Sequence, residues 1–253
     1  MKGARFARVD VRRPDLRAPF PRRFAARLTG QTVLRVDRRA KYLLAVLSSG
    51  ETLVMHLGMS GSFRVNDPDL RDKHDHVVFR MSSGVVVTFN DPRRFGVMDL
   101  LTSRQLHDHA TFGRLGPEPM SASFDAAALA RACRGKKTTL KAALLDQRVV
   151  AGLGNIYVSE ALHVAGLSPM RRASTIATRS GAPRPAAARL AAAIKQVLEE
   201  AVARASKQAR YRSSRFRVYD RAGERCPRKG CRGMIVQRTQ AGRSTYYCQV
   251  CQR

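Results

Sequence analysis

Four cysteines near the C-terminus are the residues whose type and spacing indicate chemistry most directly. Cys226 and Cys231 form one close pair and Cys248 and Cys251 a second. Two close pairs, each on a tight turn, can surround one Zn²⁺ with four thiolates in tetrahedral geometry. The residues between the pairs, 234–238 and 244–247, have the composition of two hairpin strands. The sequence therefore predicts a zinc ribbon with one Zn²⁺ per chain, and metal binding would supply most of the folding energy of this small tail.

The fifth cysteine, Cys133, stands alone in an alanine-rich stretch. A single cysteine among small apolar residues is more typical of a packed core position than of a nucleophile. The clustering of the other four favours a metal site over a disulfide framework. Together they predict a reducing, cytoplasmic location.

The charge of the chain indicates a polyanionic partner. The 253 residues include 47 Lys and Arg against 19 Asp and Glu, a formal net charge of +28, while 44% of the residues are hydrophobic. This composition is typical of a globular protein, and a charge of this size fits contacts to many phosphates. General adhesion to RNA or to an anionic membrane is the alternative from composition alone. No apolar run approaches the roughly 20 residues of a membrane helix, and the charged start is unlike a signal peptide.

The chain that must position these residues divides into a β-prone region and a helical region. Residues 31–101 contain short β-prone runs at 32–36, 42–47, 52–56, 76–79 and 85–89, with turn signals at 48–50 and 82–84, which predicts a β-sandwich or barrel. After about residue 115 the pattern becomes helical, and helices are predicted at 123–133, 138–146, 155–165 and 185–205. Residues 11–27 are rich in Arg and Pro and indicate no definite element.

Several stretches in this order resemble the bacterial formamidopyrimidine-DNA glycosylase family. They are 38–44 (RRAKYLL), 56–61 (HLGMSG), 73–76 (KHDH), 91–96 (DPRRFG), 115–119 (LGPEP), 152–157 (GLGNIY) and 242–247 (GRSTYY), with the four-cysteine ribbon. The resemblance extends from about residue 4 to the C-terminus. It implies an α+β multidomain fold with a β-sandwich at 1–112, a helix–two-turn–helix domain at 113–206 and a linker with zinc ribbon at 207–253, and DNA in the cleft between domains.

The resemblance also implies an activity. Members of the family excise oxidised purines, such as 8-oxoguanine and formamidopyrimidines, from double-stranded DNA and then cleave the strand at the abasic site by β,δ-elimination. The partner would be duplex DNA carrying such a lesion or an abasic site. The protein would be a monomer and would not associate with a membrane. Localisation would be cytoplasmic, in association with the nucleoid. The KHDH run and the set Met59, Arg93 and Phe95 favour this purine-specific branch over the endonuclease VIII-type relatives, which prefer oxidised pyrimidines.

Site residues follow from the resemblance position by position. Met59 and Phe95 match the apolar wedge that fills the space left by an extruded base, and Arg93 matches the arginine that contacts the base left behind. The remaining positions match residues that contact DNA phosphates or take part in proton transfer. His74, Lys137 and Asn155 are the further DNA-contacting positions, and Lys41 and Arg243 are the proton-transfer positions.

The sequence departs from the family at two places. The family nucleophile is an N-terminal proline followed by glutamate, whereas residues 1–6 (MKGARF) match the end of the first family helix. One interpretation is a start assigned too late, with Met-Pro-Glu upstream. The other is a zinc-dependent damaged-DNA-binding protein without glycosylase activity, with weak lyase activity through Lys41 or the terminal amine as a further hypothesis. The segment between Ser206 and Phe216 is also shorter than usual, which bears on lesion selectivity.

Overall fold

The structure is a computed structural model that describes residues 1–66, 72–205 and 216–253. The shortened segment between Ser206 and Phe216 lies outside the described residues. Contacts along the chain divide it into two compact units, Met1–Gly113 and Arg114–Arg253. Within the described part of the chain, no helix is both long and apolar enough to cross a membrane.

The first unit contains two four-stranded antiparallel sheets. One sheet has the order β1-β6-β7-β5, with β1 at Phe6–Val11, β5 at Ser62–Val65, β6 at Asp75–Met81 and β7 at Val86–Asn90. The other has the order β2-β3-β4-β8, with β2 at Val33–Arg39, β3 at Tyr42–Leu47, β4 at Glu51–His56 and β8 at Val97–Thr102. Two short helices accompany them, α1 at Phe24–Leu28 and α2 at Ser103–Asp108.

One continuous core joins the two sheets. Phe6 and Phe79 come from the first sheet and Leu53 and Leu100 from the second, and all four are buried in the same cluster. Inward-facing apolar residues of two antiparallel sheets that share one core define a β-sandwich. The sandwich predicted from the short β-prone runs is therefore confirmed.

Some elements of the first unit differ from the sequence-based expectation. Residues 1–5 do not continue a helix, because the chain turns there and enters β1 at Phe6, which pairs with β6. Strands β5 and β8 and both short helices were also not predicted. Helix α1 accounts for part of the unassigned Arg- and Pro-rich stretch. Helix α2 begins with a capping box in which the Thr102 hydroxyl accepts from the N–H of Gln105 and the Gln105 side chain accepts from the N–H of Thr102.

The second unit is built around four helices and a hairpin. The helices are α3 at Ala126–Cys133, α4 at Leu140–Leu145, α5 at Asn155–Ala165 and α6 at Pro185–Ala205, and the strands are β9 at Ile235–Gln240 and β10 at Arg243–Cys248. Asp125 caps α3 and Thr139 caps α4 through their side-chain oxygens, and Gly166 ends α5 in the left-handed conformation. The four predicted helices and the hairpin are therefore confirmed.

Cys133 is buried in the helical core, as predicted for a packing residue. Burial raises the pKa of its thiol to about 11. The thiolate needed for nucleophilic attack is thus disfavoured at neutral pH.

Candidate zinc centre and nucleic-acid interface

The four ribbon cysteines come together in the second unit. Their sulfur atoms all lie within 4.8 Å of one another. The Sγ atoms of Cys226 and Cys251 are 3.8 Å apart, and those of Cys231 and Cys248 are 3.6 Å apart. Tetrahedral zinc with Zn–S bonds of about 2.3 Å places its sulfurs about 3.8 Å apart. The cluster therefore has the donor type, number and spacing that a structural Zn²⁺ requires.

Arg243 lies at the tip of the ribbon hairpin. Strands β9 and β10 are joined by Ala241 and Gly242, both with positive φ, and Arg243 pairs with Gln240 across the turn. Positive φ at both central residues is typical of the type I′ turn that joins two hairpin strands. The Arg243 side chain is exposed, so the hairpin presents a guanidinium group to solvent at a position fixed by the turn.

Two polar side chains of the helical region hold this hairpin in place. The Lys141 ammonium on α4 donates to the Ser244 carbonyl at 2.8 Å and to the Thr245 hydroxyl at 2.6 Å. The Asn155 side-chain amide, at the first residue of α5, donates to the same Ser244 carbonyl at 2.9 Å. The structure thus brings predicted residues Asn155 and Arg243 into one neighbourhood through a lysine that the sequence analysis did not select.

Lys141 is a buried base, only 1% exposed. Burial and the charge of Arg243 lower the pKa of its ammonium from 10.5 to about 8. Its sequence context gave no signal of this burial, because a lone lysine in the helix LKAALL would ordinarily be expected at the surface. The predicted contact residue Lys137, by contrast, is exposed in the loop that precedes α4.

In the first unit, two loops that carry predicted residues are packed together. A Cβ atom on Gly58 would come within 2.4 Å of the Phe95 backbone, and φ of Gly58 is +68°, so this approach requires glycine. The buried Asp91 carboxylate accepts from the N–H of Gly96 at 2.7 Å and from the Ser60 hydroxyl at 2.5 Å. One carboxylate therefore fixes the loop at 57–61 relative to the loop at 91–96.

The apolar and cationic side chains on these loops point into solvent. Met59 is 71% exposed and Phe95 is 40% exposed. The Arg93 guanidinium lies over the Phe95 ring, 4.8 Å from its centroid, in a cation–π contact. Exposed large apolar side chains on loops held rigid by buried hydrogen bonds are suited to contact a partner rather than to pack in the core.

Asp91 also contacts the segment that carries His74. The Asp91 N–H donates to the His74 carbonyl at 3.0 Å, and the neighbouring buried His76 donates through Nε2 to the Asp91 carbonyl at 2.9 Å. The structure therefore brings His74 and the two loops together around Asp91. Asp91 belongs to the DPRRFG motif, but its role in holding these loops together depends on tertiary contacts that no local sequence pattern contains.

Lys41 lies in a two-residue turn between β2 and β3. Arg39 pairs with Tyr42 across this turn, and φ of Ala40 is +53°. Lys41 is exposed, and its positive charge acts electrostatically on the half-buried His56. Burial, followed by the charges of Lys41 and Arg17, lowers the pKa of His56. The hairpin thus presents an ammonium group beside a histidine that is held towards its neutral form.

A buried glutamate that the sequence analysis also missed anchors the chain that enters the ribbon. Glu160 on α5 accepts from the backbone N–H groups of Arg217 and Val218, each at 2.8 Å, and of Tyr219 at 3.0 Å. Three donors on one carboxylate account for its burial among apolar neighbours. A glutamate in the otherwise apolar middle of α5 was the available signal.

A β-sandwich, a helical unit and a ribbon with four clustered cysteines define the class of α+β proteins with a candidate four-thiolate metal site. Comparison with known proteins narrows the class. Residues 1–98 match the model of the formamidopyrimidine-DNA glycosylase N-terminal domain, and residues 115–213 match that of the formamidopyrimidine-DNA glycosylase H2TH domain. The chain belongs to the formamidopyrimidine-DNA glycosylase family.

Similar proteins cover the whole chain. The formamidopyrimidine-DNA glycosylases of Azorhizobium caulinodans and Rhodopseudomonas palustris are 51% and 54% identical to it, over 100% of this chain and 94% of each relative. The Lactococcus lactis enzyme, solved bound to DNA containing an abasic site, is 29% identical with a TM-score of 0.85, over 100% of this chain and 94% of that one. A complex of the same enzyme with Fapy-dG DNA has a TM-score of 0.86 at 29% identity, over 99% and 93%. The resemblance read from the sequence and the predicted fold class are therefore confirmed.

Proposed function

We propose that this chain is a base-excision repair enzyme that removes oxidised purines from duplex DNA and then cleaves the strand at the abasic site. The observation that carries this is the full-length similarity to glycosylases of one family, including one solved with Fapy-dG DNA. A structure of MutM in complex with DNA that contains carbocyclic 8-oxo-G has a TM-score of 0.86. The substrate is double-stranded DNA that contains 8-oxoguanine, a formamidopyrimidine or an abasic site.

Base extrusion is the first task, and Met59, Arg93 and Phe95 are our candidates for it. A base that leaves the stack leaves a gap, and apolar side chains compensate part of the unstacking cost of a few kcal/mol by filling it. Met59 and Phe95 are exposed apolar groups on fixed loops, which supports a wedge role. The guanidinium of Arg93, beside the wedge, is our candidate contact to the base left behind.

Phosphate binding and proton transfer are the second task. His74, Lys137 and Asn155 are our candidates for DNA contact, and the backbone N–H groups at the start of α5 support binding of an anion next to Asn155. Lys41 and Arg243 are our candidates for proton transfer. In this scheme an amine of the protein attacks C1′ and the bond from C1′ to the base breaks, after which the C1′–O4′ bond breaks and the opened sugar is held as an imine. Lys41 supplies a proton near the lesion, and Arg243 assists the second elimination.

The proposed protein binds one structural zinc ion. Cys226, Cys231, Cys248 and Cys251 would bind one Zn²⁺, and four protein thiolates leave no open position, so the metal would stabilise the ribbon and not act on substrate. The residues then divide as a β-sandwich domain at 1–112, a DNA-binding helical domain at 113–206 and a linker with ribbon at 207–253. We propose a monomer that acts in the cytoplasm on nucleoid DNA.

Strand cleavage tests the proposal. End-labelled duplexes that contain 8-oxoguanine, thymine glycol or no lesion are incubated with the protein and separated on a denaturing gel. We expect cleavage of the 8-oxoguanine duplex with phosphate at both new ends, as β,δ-elimination requires, and little cleavage of the other two. Preference for thymine glycol would instead assign the endonuclease VIII-type specificity. Binding to an abasic duplex without any cleavage would refute the enzymatic proposal.

A matched pair of variants separates the two chemical stages. Arg243→Gln removes the guanidinium from the hairpin tip, whereas Arg238→Gln removes an exposed arginine from β9 of the same ribbon. We expect Arg243→Gln to accumulate the product of the first elimination, which keeps a sugar fragment on one end. Arg238→Gln should give the wild-type distribution of ends. Equal distributions for both variants would remove Arg243 from the second elimination.

A further inference from the structure

A histidine on α5 contacts the cysteine cluster. His163 is buried, and its Nε2 lies 3.3 Å from the Sγ of Cys226. Its other ring nitrogen, Nδ1, is buried with no hydrogen-bond partner among the residues that the structure describes. A neutral imidazole carries one proton, and an unpaired buried N–H costs more than an N–H donated to sulfur. This environment favours the tautomer with the proton on Nε2, directed at Cys226.

The first cysteine loop is docked on the same end of α5. Arg228, between Cys226 and Cys231, donates its guanidinium N–H to the carbonyls of His163 and Val164. These carbonyls belong to the last turn of the helix, where intrahelical donors are lacking and a positive charge is favourable. The four-residue loop between the first two cysteines, longer than the two-residue loop of the second pair, provides the position for this arginine.

Gln252 attaches the second cysteine pair to the same end of α5. The side chain of Gln252 accepts from the Cys248 N–H at 2.8 Å and donates to the Leu167 carbonyl at 3.0 Å, just beyond α5. Both cysteine pairs are therefore attached to the C-terminal end of one helix. The attachment to the first pair is the one that reaches a sulfur atom directly.

We propose that His163 is a positioning residue for zinc, donating its Nε2–H to the Cys226 thiolate and thereby slowing loss of the metal. Four thiolates around Zn²⁺ carry two negative charges in excess, and an N–H donated to one sulfur offsets part of that charge. Hydrogen bonds to metal ligands from residues that do not touch the metal typically change its affinity by 10–100-fold. The same bond links metal retention in the ribbon to the helix that carries Asn155. This inference rests on the proposed zinc site.

Zinc release into a chelator tests the proposal. Wild-type protein is first analysed for bound zinc, and loss of zinc to excess EDTA is then followed with a metal-sensitive dye. His163→Phe keeps a ring of similar size without the N–H, and His163→Gln restores a donor on a flexible chain. We expect release from His163→Phe to be faster by about 10-fold or more, with His163→Gln in between. His107→Phe, which replaces an exposed histidine of α2, is the control and should release zinc at the wild-type rate.

The outcomes separate this inference from the zinc site itself. If wild-type protein contains no zinc, the zinc site is refuted, and the inference that rests on it is refuted as well. Wild-type protein that holds zinc, with His163→Phe releasing it at the same rate, would refute the role of His163 alone. If His163→Phe does not fold, the tautomer of His163 in the wild-type zinc protein decides by two-bond ¹H–¹⁵N correlation spectra. A proton on Nε2 supports the proposal and a proton on Nδ1 overturns it.

Discussion

Replacing Lys141 by methionine removes a buried ammonium group and keeps a side chain of similar length. Lys141 is 1% exposed, and burial together with the charge of Arg243 lowers the pKa of its ammonium from 10.5 to about 8. A difference of this size between folded and unfolded chain corresponds to about 3 kcal/mol. At neutral pH the lysine is charged in both states, so that cost is fully present below pH 8.

The sign of the pH dependence follows from which state loses its proton first. As the pH rises above about 8, the folded protein releases the Lys141 proton while the unfolded chain still holds it, until about pH 10.5. The unfolded state then binds more protons, so the unfolding free energy contributed by this group rises with pH. The free energy of unfolding of wild type, minus that of Lys141→Met, should therefore rise by about 3 kcal/mol between about pH 7 and pH 10.5.

At neutral pH the same substitution also removes two hydrogen bonds. An ammonium bonded to the Ser244 carbonyl and the Thr245 hydroxyl contributes about 1.5–3 kcal/mol for each bond, so the two bonds together equal or exceed the burial cost of about 3 kcal/mol. Both acceptor residues keep another partner, Asn155 for the Ser244 carbonyl and Gln240 for the Thr245 hydroxyl. We therefore expect Lys141→Met to lose no more than about 3 kcal/mol at pH 7.

Urea unfolding at several pH values, with zinc present, measures the difference. Titration of the other lysines, tyrosines and cysteines is common to both proteins and cancels. Lys137→Met removes an exposed ammonium from the same part of the chain and controls for the loss of a positive charge. A wild-type minus Lys141→Met difference that stays constant from neutral to alkaline pH would refute the assignment of a buried, desolvated ammonium.

Three further perturbations follow from the geometry. Glu160→Gln replaces a carboxylate that accepts three backbone N–H groups and should lower the urea unfolding free energy by about 2–4 kcal/mol, whereas exposed Glu199→Gln should change it by less than about 0.5 kcal/mol. Met59→Ala should lower the rate of 8-oxoguanine excision at least several-fold with an unchanged melting temperature, because the side chain is 71% exposed; an equal loss of stability would indicate a packing role. Removal of zinc with a chelator should unfold the ribbon, seen in the tyrosine signals of near-UV circular dichroism, and abolish DNA binding in a fluorescence anisotropy assay; retained binding would show that the ribbon is dispensable.

Elements with a strong local pattern were predictable from the sequence. Helix α5, bounded by GLGN and by Gly166, carries both its start and its stop signal, and the turn signals at 48–50 and 82–84 separate short β-prone runs that form neighbouring strands. The cysteine spacing alone predicted the ribbon. Strand β1 was missed although FARVDV alternates charged and apolar residues, because residues 1–6 were matched to the end of a family helix and the partner strand β6 lies far along the chain.

The contacts that organise the candidate site were harder to predict from the sequence than the helices and strands. Asp91, Lys141 and Glu160 each stabilise a loop or hairpin distant in sequence, and each is a charged residue that would ordinarily be expected at the surface. Periodicity predicts which face of an element is buried but not which polar group will find its partner there. The residues matched to DNA contact, such as Met59 and Arg93, came from the family resemblance and not from local composition.

Borohydride trapping on lesion-containing DNA tests the central claim most directly. Borohydride reduces an imine between protein and sugar to a permanent cross-link, so the protein is incubated with an 8-oxoguanine duplex and the reductant, with an undamaged duplex as the control. We predict a covalent complex on the 8-oxoguanine strand alone, and mass spectrometry of the cross-linked peptide then identifies the attacking amine. Tight binding to an abasic duplex, with neither a trapped complex nor a cleaved 8-oxoguanine strand, would contradict the account and leave a DNA-binding protein without glycosylase activity.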